Sequence, residues 1–534
     1  MKENFKYFFS LFNRYPISSR ARIFHNEDID RLPPHITQKN KIHIAVQCVQ
    51  DPFYYALFSG LCSELRKKTL IKVDLVVPQS VDRAIGMGLR ALLLRLPPLN
   101  ILQINQWIRL WSSVSPSVAY RSVAIRISVA DLVDLWRSWR LWKKIHSTEE
   151  LINLSINGVT CGDLIGDTYL RFRPSPKLQI NNIFILHIIW QAHRDVRKAT
   201  LYFKKNKPNL YISSYTTYIQ HGIPVRVALR EGIKVLSFGN AQELGMFHRI
   251  NHVFQTRYSL LYKKDFSKII SKDSVIASAK AEMESRMSGG VDNTTSSMKM
   301  PAYGSFVTGL PNLHNSVVIF MHDFYDSPHV YANFIFADFW DWITFTIKVL
   351  KKVGITFYLK PHPNQVESSK NALDDLKNEF SDLNFLPIEA DAMQLASVGM
   401  ICGITAYGTI SSELAYLGIP SIACAEHPHI AFDFCKTAKT KFEYEKLLGA
   451  ALQIKVNHSE FREQSLQFYA MHNLILPEEH IQFRSSALKF IRHFNANERL
   501  DEELLSEFIK FKAMPCFGWM VDQIINNSLD AAYK

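Results

Sequence analysis

The sequence predicts an α/β protein of two Rossmann-like halves facing a cleft, with a helical insertion and C-terminal helices. Three observations carry that reading. At 534 residues the chain exceeds what one core supports. Strands alternate with helices through both halves, as a parallel sheet requires. The strands are runs of apolar and β-branched residues, as expected where helices cover both faces of a sheet.

In order, residues 1–40 read as a polar, irregular lead segment. The first half, 41–300, opens on a strand at Lys41–Val49, stopped by Asp51-Pro52. A helix over Tyr54–Lys67 and a strand over Ile71–Val77 follow. Residues 82–145 form a helical insertion broken by Pro97-Pro98 and Ser112–Pro116. It is rich in Trp107, Arg109, Trp111, Trp136, Arg137, Trp139, Arg140, Trp142, Lys143 and Lys144. That composition suits a membrane interface, and it equally suits a core insertion. A long helix over Ile183–Lys204, a strand over Asn209–Ser213, a helix over Gly222–Glu231 and a strand over Lys234–Phe238 complete the half.

The polar stretch 270–300 is read as the boundary. The second half, 301–490, then runs strand Ser316–Met321, helix Phe339–Lys352, strand Thr356–Leu359 and helix Ser368–Phe380. Strands near Asn384–Leu386, Val398–Ile401 and Ser421–Ala423 follow. Residues 491–534 are a helical tail.

Composition bounds the function. Hydrophobic residues make up 47% and charged residues 21%, so a packed globular chain is expected. The net charge of +13 calls for an anionic partner. A membrane surface and a negatively charged nucleotide fit. Nucleic acid does not, because no zinc spacing, aromatic RNA-binding run or basic-region helix is present. The seven cysteines are odd in number, form no CxxC pair and in several cases sit in apolar runs, which reads as core packing in a reducing compartment. No metal or disulfide framework is expected. Met1–Arg14 has neither a long apolar region nor a cleavage site, and no apolar stretch reaches eighteen residues. The expected location is cytoplasmic, with peripheral docking on the inner membrane through 82–145.

Four segments carry chemistry. The run TFYLKPHP, Thr356–Pro363, ends a strand and delivers Lys360, His362 and Pro363 at its carboxyl end, where ligands of doubly wound sheets bind. Lys and His together neutralise a leaving phosphate. The second run, Cys402–Pro420, passes from a strand through Gly408 and Thr409 into a helix capped by Ser411 or Ser412. Free N–H groups and the helix dipole there favour an anion. Ser411 and Ser412 add hydroxyls, and Glu413 suits ribose hydroxyls or merely complements the dipole. The third run, Phe320–His329, follows the first strand of the second half. In it His322 and His329 suit donor sugar or phosphate, and Asp323 and Asp326 suit hydroxyls. The fourth, Gly162–Asp167 with Arg171, offers Asp167 first and Asp163 second as general base. His221 is a further candidate base, and Arg226 suits an acidic acceptor.

The KPHP run and the Gly/Thr/Ser loop with its Glu–small–Gly–x–Pro helix resemble the C-terminal half of GT-B glycosyltransferases, over roughly residues 310–430. The nearest likeness is to capsular polysaccharide transferases, bacterial sialyl and Kdo transferases among them. CDP-glycerol glycerophosphotransferases look similar over the same segment. The resemblance implies a nucleotide-sugar donor, CMP-linked in preference to UDP-linked. It also implies a glycan or lipid-linked acceptor, with the product a bacterial surface glycan such as capsule or O-antigen. Carried over by position, His362, Ser411 and Ser412 hold the donor phosphate and Glu413 the ribose. No cofactor beyond the donor itself, and no metal, is expected: the only Asp-x-Asp, Asp28-Ile29-Asp30, lies in the lead segment. A CDP-glycerol-type polyol-phosphate transferase and a non-catalytic polysaccharide-assembly protein are the alternatives.

Overall fold

The computed structural model describes residues 42–49, 51–77, 108, 111–112, 114–115, 117–121, 128–172, 175–239, 244–254, 259–290, 303–363, 365, 368–496 and 502–526. The lead segment, Asp28, Asp30, Trp107, Arg109 and the run from 78 to 107 lie outside the described residues.

Alternation of apolar strands and helices produces two parallel sheets. In the first, β1 (Ile42–Gln47) leads through α1 (Pro52–Lys68) to β2 (Ile71–Val77) and then to β3 (Val118–Arg121). Asp51 caps α1 through Phe53 and Tyr54, and Pro52 opens the helix, so the sequence stop signal is also the helix start. The chain continues through α2 (Val129–Trp142), α3 (Gly162–Phe172) and α4 (Ile183–Asn206). It then returns as β4 (Leu210–Ser213), α5 (Tyr218–Arg230), β5 (Lys234–Ser237) and an antiparallel β6 (Met246–His248). The strand order is β3-β2-β1-β4-β5-β6. The order in which strands are added reverses between the parallel neighbours β1 and β4, the topological switch point of a doubly wound sheet.

After α6 (Tyr262–Phe266) and α7 (Lys272–Met287), the second sheet begins with β7 (Ser316–Phe320). It continues through α8 (Phe339–Lys352), β8 (Thr356–Lys360), α9 (Ser368–Glu379), β9 (Cys402–Ile404), α10 (Ile410–Tyr416), β10 (Ser421–Ala423) and β11 (Cys435–Thr437). All its ladders are parallel, in the order β8-β7-β9-β10-β11, with the switch point between β7 and β9. Two doubly wound, Rossmann-like halves are what the sequence led us to expect.

The packing redraws the boundaries read from sequence. Tyr262, Phe266, Ala279, Met283 and Met287 of α6 and α7 join the core of the second half, not the first. After α11 (His458–Tyr469), the helices α12 (Glu478–Ala496), α13 (Glu502–Lys512) and α14 (Pro515–Asn526) cross back. Phe483, Phe490, Phe511, Cys516 and Phe517 then share a core with Ile44, Val46, Phe53 and Phe58 of the first half. Helical periodicity alone does not reveal which half a helix will cover. All seven cysteines are buried, and none is in a disulfide.

The insertion divides in its burial. Trp111 is fully buried, with its indole N–H donating to Val49 O at 3.1 Å. Trp142 is half-buried and donates to Ile180 O at 2.7 Å. Trp136 and Trp139 are exposed. Helix α2 is held on α4 by buried charge. Arg194 and Arg197 meet Asp131 at 2.9 and 2.7 Å, and Arg197 meets Asp134 at 2.7 Å.

Burial alone would raise the Asp131 carboxyl. The Ser128 N–H and hydroxyl and the Arg194 guanidinium override it and hold it far below the ordinary value. Asp131→Asn, which removes the negative charge facing the Arg194 and Arg197 guanidinium groups, should cost about 3 kcal/mol at pH 7. A carboxyl with a depressed folded pKa stabilises above its unfolded value and loses that effect on acidification. The gap between wild type and variant should therefore shrink as pH falls below about 4, measured by urea unfolding across pH.

Candidate active site

Because β8, β7 and β9 are parallel neighbours, the loops that leave them emerge on one edge. The Phe320–His329 run, the KPHP turn and the Thr405–Thr409 loop are therefore brought together at the switch point. His322 links two of them, with Nε2 3.1 Å from Thr405 Oγ1. Its ring lies parallel to Phe339, centroids 4.9 Å apart, and burial pushes its pKa down to about 3. A neutral, stacked imidazole bonded to Thr405 braces the loop more than it meets a ligand. Thr405 in turn accepts the Gly408 N–H at 3.1 Å.

The KPHP residues separate. Lys360 is buried and donates to Ile388 O at 2.7 Å and Pro361 O at 3.3 Å, and burial pulls its pKa down to about 8. It secures the turn from within rather than facing a phosphate. His362 is half-buried and Pro363 exposed. Burial lowers the His362 pKa against the pull of Asp323 and Asp326. Asp323 accepts from the Tyr325 N–H at 3.0 Å and the Ser369 hydroxyl at 2.8 Å, so it shapes its own loop.

In the second loop the cap is Thr409, not Ser411 or Ser412. The helix starts at Ile410, which turns both serines inward. The Ser412 hydroxyl donates to Thr409 O at 2.8 Å, and Ser411 Oγ lies 3.7 Å from Cys435 Sγ. Thr409 and Gly408 are the outward members. Glu413 is buried, taking Arg286 of α7 at 2.6 Å through one oxygen and the Tyr303 hydroxyl through the other, so both its oxygens serve packing.

The first half presents its own switch point. Gln47 stands at the end of β1, fully buried. Its Oε1 accepts from the Ser214 N–H at 2.9 Å and hydroxyl at 2.8 Å. This turns Nε2 towards His221 Nδ1, 2.9 Å away. An amide N–H can point only at a lone pair, so the His221 proton sits on Nε2. Burial pushes the His221 pKa down to about 3. His221 is therefore a neutral donor, contrary to the base role expected of it. Gln47, a polar residue inside an apolar strand, was the signal in the sequence.

Asp163 is also committed. Arg226 holds it in a two-pronged pair, with Nη1–Oδ1 2.7 Å and Nη2–Oδ2 2.5 Å. Burial raises the Asp163 carboxyl, yet Arg226 brings it below the ordinary value. Neither group is left to serve an acceptor. The glycines of this run serve packing: a Cβ on Gly162 would overlap the Leu151 carbonyl.

Asp167 reaches the other half. Its Oδ1 accepts from His329 Nδ1 at 2.7 Å, both residues being buried. Burial raises the Asp167 pKa against the pull of His329. Burial lowers His329, but Asp167 more than reverses that and raises it. Among the described residues, the buried His329 Nε2 has no hydrogen-bond partner.

Beside this pair the Ser327 hydroxyl donates to the Tyr218 hydroxyl at 2.7 Å, and Arg171 Nη1 to Tyr325 O at 3.4 Å. Tyr218 holds φ +61°, a left-handed conformation costing an L-residue about 1 kcal/mol. Such strain gathers at functional sites. Spacing in sequence gave no hint of Tyr218, or of Arg171 as a cation set against the Asp326 loop.

A cleft of about 770 Å³ lies beside the loops that flank β10 and β11, lined by Asn333, Phe334, Glu426, Thr437 and Lys439 among others. That is the size of small-molecule sites. His427, His429 and Cys435 bring possible metal-ligating atoms within 4.8 Å of one another. The two imidazoles, however, are stacked at 3.7 Å with planes 24° apart. Lone pairs in nearly parallel planes do not converge within the ~2 Å reach of a metal–nitrogen bond.

No family model matches the chain, and no curated protein matches it in sequence. Among solved structures it is similar to the UDP-GlcNAc 2-epimerase of Methanocaldococcus jannaschii in complex with UDP-GlcNAc and UDP. The identity is 10%, with 80% of this chain and 98% of that one covered and a TM-score of 0.26. For the UDP-GlcNAc 2-epimerase of Neisseria meningitidis bound to UDP-GlcNAc the values are 10%, 86%, 100% and 0.24. For the glycotransferase of kitacinnamycin they are 10%, 85%, 99% and 0.24. Likeness at that distance speaks for neither activity nor substrate.

Asp167→Asn removes the charge that raises His329. The His329 titration, followed by NMR of its ring protons, should then fall below the ordinary imidazole value of about 6.5. An unchanged midpoint would show that Asp167 does not hold it.

Proposed function

We propose that the chain is a metal-independent glycosyltransferase, moving a sugar from a nucleotide-sugar donor to a glycan or lipid-linked acceptor. The observation that carries this reading is direct contact between the loops at the two topological switch points, where the Ser327 hydroxyl meets the Tyr218 hydroxyl at 2.7 Å. The β7/β9 loops stand on one side, and Gln47, Ser214, His221 and Tyr218 on the other. Ligands of doubly wound sheets bind outside such points. A nucleotide in one half and an acceptor in the other use both.

In this mechanism the donor lies on the second half, its nucleoside in the cleft lined by Asn333 and Thr437. His362, the Gly408–Thr409 loop and Arg171 receive the developing phosphate charge. His221 donates from Nε2 to an acceptor oxygen. Asp167, its affinity for protons raised by burial and its orientation held by His329, removes the acceptor proton. The motif resemblance favours a CMP-linked sugar over a UDP-linked one and a bacterial surface glycan as product.

His362→Ala should lower kcat/KM by about 10²- to 10³-fold with no change in melting temperature, since the residue sits on a half-exposed turn. The assay offers CMP-sugar, UDP-sugar and CDP-glycerol and reads product mass. An acceptor heavier by one sugar supports the reading. An acceptor bearing glycerophosphate, or a sugar epimerised while still on its nucleotide, overturns it. Absence of nucleotide binding in calorimetry would favour a non-catalytic assembly role.

A further inference from the structure

Helix α2 sits with its polar stripe inward. Asp131, Asp134 and Ser138 are its buried residues, and each is matched on α4. Arg194 and Arg197 take the two carboxylates, and Ser138 Oγ lies 2.9 Å from His193 Nδ1. The Trp190 indole N–H also donates to Asp131 O at 2.8 Å. These bonds fix the helix about its own axis. The arc left outside is apolar: Val129 is 78% exposed, Leu132 54%, Val133 40%, Leu135 36%, Trp136 54% and Trp139 48%.

At helical spacing these six residues form one continuous face. Surface helices ordinarily present the opposite arrangement. Exposed Arg137, Arg140, Lys143 and Lys144 gather at its C-terminal end, and the Arg140 guanidinium lies over Trp136 at 4.8 Å.

We propose that this face docks on an anionic membrane surface. Indole rings and aliphatic side chains enter the headgroup layer, and the basic cluster meets lipid phosphates. The net charge of +13 favours the same partner. A convex single-helix face offers a protein partner no matched groove, whereas a headgroup layer needs none. The contact is peripheral: among the described residues no helix is long and apolar enough to cross a membrane.

The test is co-sedimentation of the full chain with vesicles of phosphatidylcholine alone and of phosphatidylcholine mixed with phosphatidylglycerol. The wild type should partition onto the anionic vesicles, and less so as salt rises. Trp136→Ser with Trp139→Ser should weaken partition at least about tenfold. Arg140→Gln, Lys143→Gln and Lys144→Gln together should weaken it about fivefold per charge at low salt. All these side chains are exposed, so melting temperatures should not change. Failure of the wild type to partition, or equal partition by the variants, overturns the proposal. So does a tryptophan variant that converts a dimer to a monomer while the wild type ignores vesicles, since the face would then belong to a second copy of the chain.

Discussion

Parallel strand pairing is the constraint on which the rest of this molecule depends. A parallel sheet sends every strand-to-helix loop to the same edge, however far apart the loops lie in sequence. His322, His362 and Thr405 are separated by tens of residues, yet their strands are neighbours in the ladder β8-β7-β9. The first sheet obeys the same rule with Gln47 and Ser214. Once each sheet has a switch point, placing the two edges together yields a site whose parts neither half owns. The Asp167–His329 bond lies at that seam.

Buried charge decides which members of the site remain available. Asp163, Glu413 and Asp131 are all carboxylates in the protein interior, and each has a guanidinium against it. An unpaired carboxylate there would cost more than the fold can spare, so these three are structural by necessity. Asp167 differs, because its partner is an imidazole whose own proton is negotiable. The same logic applies to Lys360, whose ammonium is satisfied by carbonyl oxygens. Residue type nominates candidates, and the identity of the partner separates those that can exchange a proton or meet a ligand from those that cannot.

Much of the fold was legible in the sequence, because periodicity and β-branched runs are local signals. The strand Ile71–Val77 falls where the pattern places it, and helices Phe339–Lys352 and Ser368–Glu379 fall within a residue of it. Membership of a half was not legible, because Phe483 or Phe517 could cover either sheet and only three-dimensional packing assigns them. The candidate site was legible at the level of segments: the runs around His322, His362 and Gly408 do meet. Individual roles were not. Ser411 and Ser412 turned inward because the helix begins before them, with Thr409 at its cap, so both serines lie inside its first turn. The His221 tautomer depends on Gln47, far away in sequence, and no local pattern carries that information.

The return of α12–α14 to the first half has a mechanical consequence. The backbone passes between the halves twice, once between β6 and Tyr262 and again between Met471 and Phe483. Two connections oppose sliding and twisting of one half against the other more than a single one would. The register between the two loop sets is thus held by the chain path as well as by the bonds from Asp167 to His329 and from Ser327 to Tyr218.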